Sequence, residues 1–210
     1  MSTGAYKRRV TRQPELAAYE DAPGLPDLVA QAVRASRTVG FEKACLPEVG
    51  RLLHVLAGMR RGIRIGESGT ACGVGAAWIA TAMDPGSTLV TVELDPERAA
   101  IASRLLASAP GVSVLQGDWS LLQAHGPFDL LFIDGGPAKT ECEVILSLLA
   151  PRGLVVLDDL TPPEHWTTEQ RREYADGDPT RTAWRDQSGC SFTDLRVTED
   201  AAVLLVVKHA

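Results

Sequence analysis

The chain has 210 residues, of which 45% are hydrophobic and 23% charged, with a formal net charge of -6. This is enough chain for one sizeable core and too little for two. The acidic balance repels polyphosphates and disfavours general nucleic-acid binding. Aromatics make up only 5%, so a core must be built mainly from Ala, Val, Leu and Ile. Cys45, Cys72, Cys142 and Cys190 form no C-x-x-C pair, a spacing that supports neither a zinc site nor a disulfide framework. No apolar leader or membrane-length apolar run is present, and reduced thiols in a cytoplasmic protein with no membrane partner are expected.

Residues 1–24 are polar and irregular, carry the basic cluster Lys7, Arg8, Arg9 and Arg12, and end at Pro23-Gly24; they read as an N-terminal arm before a single domain over 25–210. A helix is predicted from Asp27 to Thr38, broken by Gly40. A second follows with Leu46, Val49, Leu53 and Leu56 on one face, and the stretch 25–60 reads as lid helices. Short apolar runs then alternate with amphipathic stretches, predicting strands at Ile63–Glu67, Leu89–Glu93, Val112–Gln116, Asp129–Asp134 and Leu154–Asp158. Continuous runs such as Leu130-Leu131-Phe132-Ile133 suit a parallel sheet covered on both faces. Asp95-Pro96-Glu97 is a helix-start signal, and Cys142, Ile145, Leu146 and Leu149 recur at helical spacing up to Pro151-Arg152-Gly153. Residues 160–190 are loop-rich, and Phe192–Val197 and Ala201–Val207 read as a closing hairpin. The expected fold is α/β: a Rossmann-like, doubly wound seven-stranded sheet with five parallel strands, a C-terminal antiparallel hairpin and helices on both faces.

The segment Glu67-Ser68-Gly69-Thr70-Ala71-Cys72-Gly73-Val74-Gly75 joins the first strand to a helix expected to begin near Cys72. Glycines there permit torsions and close approach that a Cβ blocks, and a helix N-terminus offers N–H groups to an anion. Two ligand classes compete. The spacing Gly69-x-x-x-Gly73-x-Gly75 matches a nicotinamide turn, yet no tyrosine is followed by lysine at the Tyr-x-x-x-Lys spacing of short-chain dehydrogenases. Glu67 suits the cationic amino group of a methionine moiety and would be misplaced beside a pyrophosphate. Glu93, ending the second strand, can accept hydrogen bonds from ribose hydroxyls. Asp118 could take an adenine amino group with Trp119 against the ring, or only cap the next short helix.

These motifs, in this order, resemble the class I methyltransferases that use S-adenosylmethionine. Among them the match is to the small O-methyltransferases related to catechol and caffeoyl-CoA O-methyltransferases. Glu67 to Gly73 looks like the E-x-G-x-G-x-G turn, with Ala71 replacing the middle glycine. Thr91 to Asp95 resembles the ribose-binding strand end, Phe128 to Asp134 the fourth strand and Gly153 to Asp159 the fifth, where the family usually has Asp-Asn. The resemblance implies S-adenosylmethionine held by Glu67, Gly69, Thr70, Ala71, Gly73, Glu93, Asp118, Trp119 and Asp134.

Asp134, Asp158 and Asp159 fall at adjacent strand ends, the edge where open α/β sheets hold ligands. Converging carboxylates repel unless a cation joins them, and a hard ion such as Mg²⁺ is the expected partner, chelating two acceptor oxygens in the family. The family pattern places a lysine three residues after the first of these acids. Here Pro137 occupies that position and Lys139 follows, making Lys139 the candidate base and His165 the second. Pro162, Pro163, His165, Trp166 and Trp184 are placed to wall an acceptor pocket. The expected function is metal-assisted methyl transfer to a hydroxyl of a small, catechol-like molecule. The alternatives are metal-independent transfer, a nicotinamide oxidoreductase and a silent cofactor-binding module; a homodimer is compatible with the resemblance.

Overall fold

The computed structural model describes residues 15–210; the basic cluster at residues 7–12 lies outside the described residues. Five strands run parallel: β1 (Arg64–Ser68), β2 (Thr88–Glu93), β3 (Val112–Gln116), β4 (Phe128–Ile133) and β5 (Leu149–Leu160). β6 (Cys190–Arg196) and β7 (Ala202–Lys208) form the antiparallel hairpin, and β7 pairs with β5. The sheet order is β3-β2-β1-β4-β5-β7-β6. The reversal between β1 and β4 is the switch point at which a ligand crevice opens beyond the strands' carboxyl ends.

Alternation along the central strands divides the core. Leu130, Phe132, Val156 and Val203 join a cluster with Val29, Val33, Val49, Leu53 and Ile79 from α1 (Asp27–Thr38), α2 (Pro47–Ala57) and α3 (Val74–Ala80). Leu131, Ile133, Val155, Leu157 and Leu204 face the other way, against Cys142, Ile145 and Leu148 of α5 (Cys142–Leu148) and against Trp184. Helices thus cover both faces, which is why the strands read as continuous apolar runs. Asp95 caps α4 (Pro96–Leu106) by accepting from the amides of Glu97 and Arg98.

Several strand ends shift by one or two residues from the sequence reading, and four larger differences have a local cause. α3 starts at Val74 because Gly73, at φ 97°, occupies the capping position. Leu149 leaves the helix and pairs with Phe128, so β5 begins before the Pro151-Arg152-Gly153 bend. The loop expected over 160–190 contains α6 (Thr168–Glu173), closed by a Thr167–Gln170 capping box, and α7 (Pro179–Arg185), capped by Asp178. Both start signals stand in the sequence, but neither helix has the length that makes a period legible. Finally, Glu15–Tyr19 forms a 3₁₀ turn whose Leu16 and Tyr19 are buried with α1 and α2. Among the described residues no helix is long and apolar enough to cross a membrane.

Candidate active site

The chain leaves β1 through a turn tied to both neighbouring strands. The amides of Gly69 and Thr70 donate to Val92 O at 3.0 and 3.2 Å, and Asp134 N donates to Ser68 O at 2.9 Å. Gly69 has φ 97°, and a Cβ there would lie 2.2 Å from Asp134 O, so only glycine fits. Ala71 stands at φ 49°, in the left-handed region that a glycine would occupy without strain. It is held there by donating its amide to Glu93 Oε2 at 2.8 Å.

Glu67 is 1% exposed. It pairs in register with Thr91 on β2, and the Thr91 hydroxyl donates to its carboxylate while contacting the Thr70 hydroxyl. A Cβ on Gly75 would come within 2.5 Å of Glu67 Oε1, so that glycine leaves room for the carboxylate beneath the first turn of α3. Burial, reinforced by Glu93 and opposed by the Thr91 hydroxyl, raises the Glu67 pKa to about 8. The acid expected to face a ligand's amine therefore lies under the turn, poised between its neutral and charged forms. Thr91 was not singled out from sequence; its place two residues before Glu93, on the same strand face, was the available signal.

Glu93 lies at the end of β2, 5% exposed. Its Oε1 accepts from Asp95 N at 2.9 Å and from Arg98 Nη2 at 2.8 Å and Nε at 3.2 Å, while Oε2 accepts from Ala71. Arg98, also missed from sequence, rests 4.9 Å over the Phe41 ring, linking Glu93 to the segment between α1 and α2. Asp118 caps the 3₁₀ helix Trp119–Ala124 by accepting from Ser120 N, and it is exposed. Trp119 packs, half-buried, against the second core cluster.

At the ends of β4 and β5, Asp134 is half-buried and Asp158 buried. Desolvation raises both their pKa values; Asp158 and Asp159 repel Asp134, Asp159 repels Asp158, and Lys139 opposes the shift at each. Glu15, which accepts from Ala44 N at 3.0 Å, adds a smaller repulsion to both acids, placing the 15–19 turn near this pole. Tyr19 ties that turn down: its hydroxyl donates to Cys45 O at 2.8 Å and accepts from Trp78 Nε1 at 3.1 Å.

Lys139 comes into the same region. It is 5% exposed, and its Nζ donates to Asp158 O at 2.7 Å and lies 3.7 Å from Asp159 Oδ2. Lys139 and Asp159 line a cleft of about 470 Å³, completed by Gly136, Pro137, Tyr174 and Thr180 among others. The 160–190 segment supplies part of this cleft's wall through Leu160, Glu173, Tyr174, Asp178, Pro179 and Thr180. His165 is exposed at the end of the Pro163–His165 turn and is not part of the lining. Trp166 braces the wall from behind, donating to Thr161 O and meeting the Tyr174 ring edge-on at 5.3 Å. Trp184 is fully buried and donates its Nε1 to Lys139 O at 2.8 Å, so it anchors the lysine's backbone instead of facing a ligand.

The donor set departs from the magnesium expectation. Among the described residues no group of three or more His, Cys, Asp or Glu is arranged to hold a metal ion, and residues 1–14 contain none of these types. Asp159 has φ 68° and sends its amide to Asp158 Oδ1 at 2.6 Å, while the Lys139 ammonium takes the Asp158 carbonyl and pairs with Asp159. Asp134, Asp158 and Asp159 are neighbours, but they do not converge as a ligand set. For S-adenosylmethionine the fit is better: a turn in which Gly69 and Gly73 carry no side chain, a carboxylate at the β2 end and a helix N-terminus adjoin one another.

Comparison with known proteins bears on the family. A family described as a methyltransferase domain matches residues 67–160. A catechol O-methyltransferase of Niastella koreensis is 30% identical over 158 residues, covering 70% of this chain and 69% of that protein. Among solved structures, the O-methyltransferase TomG of Streptomyces achromogenes, in complex with S-adenosylmethionine, superposes with a TM-score of 0.71 at 23% identity, covering 89% of this chain and 92% of its own. An O-methyltransferase of Bacillus cereus in complex with S-adenosylhomocysteine gives 0.73 at 20% identity, covering 92% and 96%. The chain therefore belongs to the small O-methyltransferases of the class I, S-adenosylmethionine-dependent methyltransferase family.

Proposed function

We propose that the chain transfers a methyl group from S-adenosylmethionine to a hydroxyl of a small, catechol-like molecule held in the cleft beside Lys139. The observation that carries this reading is Glu93: a buried carboxylate at the β2 end, bonded to the amide of Ala71 in the glycine turn, where two ribose hydroxyls can be met. When bound, S-adenosylmethionine would supply an electrophilic sulfonium methyl to the acceptor oxygen, whose proton would pass to solvent while sulfur would keep the electrons of the S–C bond.

This chain's residues contribute position and charge. Gly69 and Gly73 leave room for the ligand at the turn, Ala71 and Glu93 orient the ribose, and a cationic amine bound above the turn favours the charged form of Glu67, its proton passing to solvent. Lys139 lowers the cost of an oxyanion on the acceptor at one end of the cleft. Tyr174, Pro137 and Leu160 line the cleft around it. The test is transfer of labelled methyl from S-adenosylmethionine to a panel of catechols and other small phenols. Product carrying the label on oxygen is expected; labelled product on none of the panel, with nicotinamide dinucleotide bound instead, would reverse the reading.

A further inference from the structure

Three acids at neighbouring strand ends need a compensating cation, and the structure has one in place. Lys139 Nζ sits 2.7 Å from the Asp158 carbonyl oxygen and 3.7 Å from Asp159 Oδ2, with its side chain 7% exposed. The backbone behind it is fixed as well: Trp184 Nε1 donates to Lys139 O at 2.8 Å, and neighbouring Ala138 is fully buried. The ammonium is thus clamped at both ends, not swinging on a solvated stem. Asp158 Oδ1 is already taken by the Asp159 amide. A divalent ion demands several oxygen ligands in near-octahedral array and would here sit against a fixed positive charge.

Building on the proposed methyl transfer, we infer that the Lys139 ammonium is the resident cation of this site, and that the chain methylates its acceptor without a metal. Lys139 and Asp159 both reach the cleft wall, so an acceptor hydroxyl entering there meets a charge-assisted donor of the kind that stabilises an oxyanion. The displaced lysine follows from the local chain: Gly135 and Gly136, at φ 86° and 76°, lengthen the path from Asp134, and the 3₁₀ turn Pro137–Thr140 then aims Lys139 at the β5 end.

The experiment is a calorimetric titration of Mg²⁺ and of Mn²⁺ into the full chain, with and without S-adenosylhomocysteine, alongside methyl transfer in the presence of a chelator. No saturable metal binding up to millimolar concentration and chelator-insensitive transfer are expected. Lys139→Met should lower kcat by about 100-fold, a loss that added metal does not restore. Lys139→Arg, keeping the charge, should recover part of it. Saturable metal binding coupled to chelator-sensitive transfer would overturn the inference, as would a Lys139→Met protein of unchanged kcat. Absence of S-adenosylhomocysteine binding would count against the proposed cofactor alone, since the metal titration is also read without it.

Discussion

Glu67 illustrates how one buried acid links stability to pH. Its carboxyl is neutral-favoring in the fold, with a pKa raised to about 8 against an ordinary value of 4.5. An acid whose folded pKa is raised contributes stability that is fully present below the unfolded value and is lost as pH climbs through the folded one, here between pH 4.5 and about 8. Glu67→Gln, a permanently neutral isostere, should match wild-type stability to denaturant near pH 4 and exceed it at pH 9, by an amount on the order of a few kcal/mol. Parallel pH profiles for the two proteins would show that this carboxyl does not titrate as described. Ala71 carries a separate strain, its φ of 49° being costly for a residue with a Cβ. Ala71→Gly should leave the turn's hydrogen bond to Glu93 intact and change stability by no more than about 1 kcal/mol, toward greater stability. Neither feature was visible in sequence as an energy: Glu67 and Ala71 were identifiable as turn residues, but burial beneath α3 and the pairing with Thr91 depend on the β1–β2 register.

At the scale of elements, two contacts decide how the helices are seated. Gly50 of α2 faces Trp78 of α3 so closely that a Cβ would fall 2.1 Å from the indole Nε1. Gly50→Ala should destabilise the fold by about 1–3 kcal/mol through overpacking. In urea denaturation this appears as a lower midpoint, while affinity for S-adenosylhomocysteine stays close to wild type because the contact is remote from Glu93. Trp184 fastens α7 to the Pro137–Thr140 turn, and Trp184→Phe leaves the Lys139 carbonyl without its buried donor. A stability loss of about 1–3 kcal/mol is expected, with a larger proportional fall in kcat than in cofactor affinity. Equal losses in both would mean that the indole supports the whole fold and not the lysine in particular. α1 and β3 were legible to the residue, since Asp27–Thr38 has a clear apolar stripe and Val112–Gln116 is a bounded apolar run. α6 and α7 were not, because segments of six and seven residues give too few turns for periodicity.

For the molecule as a whole, motif order carried the most information. Successive strand ends supplied Glu67, Glu93, Asp134 and Asp158 in the sequence of a switched parallel sheet, and the fold sets them along one edge. The acceptor side was harder to read because its parts come together only in three dimensions. The Trp184 donor to Lys139 is 45 residues away along the chain, and the cleft joins Gly136 to Thr180. The strand-end positions of the acids suggested a cation, and the structure sets Lys139 beside them. The central claim remains the cofactor, and the most direct test is a calorimetric titration of S-adenosylhomocysteine into the wild-type chain and Glu93→Gln. Saturable binding by the wild type is predicted, weakened about 10- to 100-fold in the variant by loss of a charged acceptor for the ribose hydroxyls. No binding at millimolar ligand, or equal affinity in the two proteins, would contradict it.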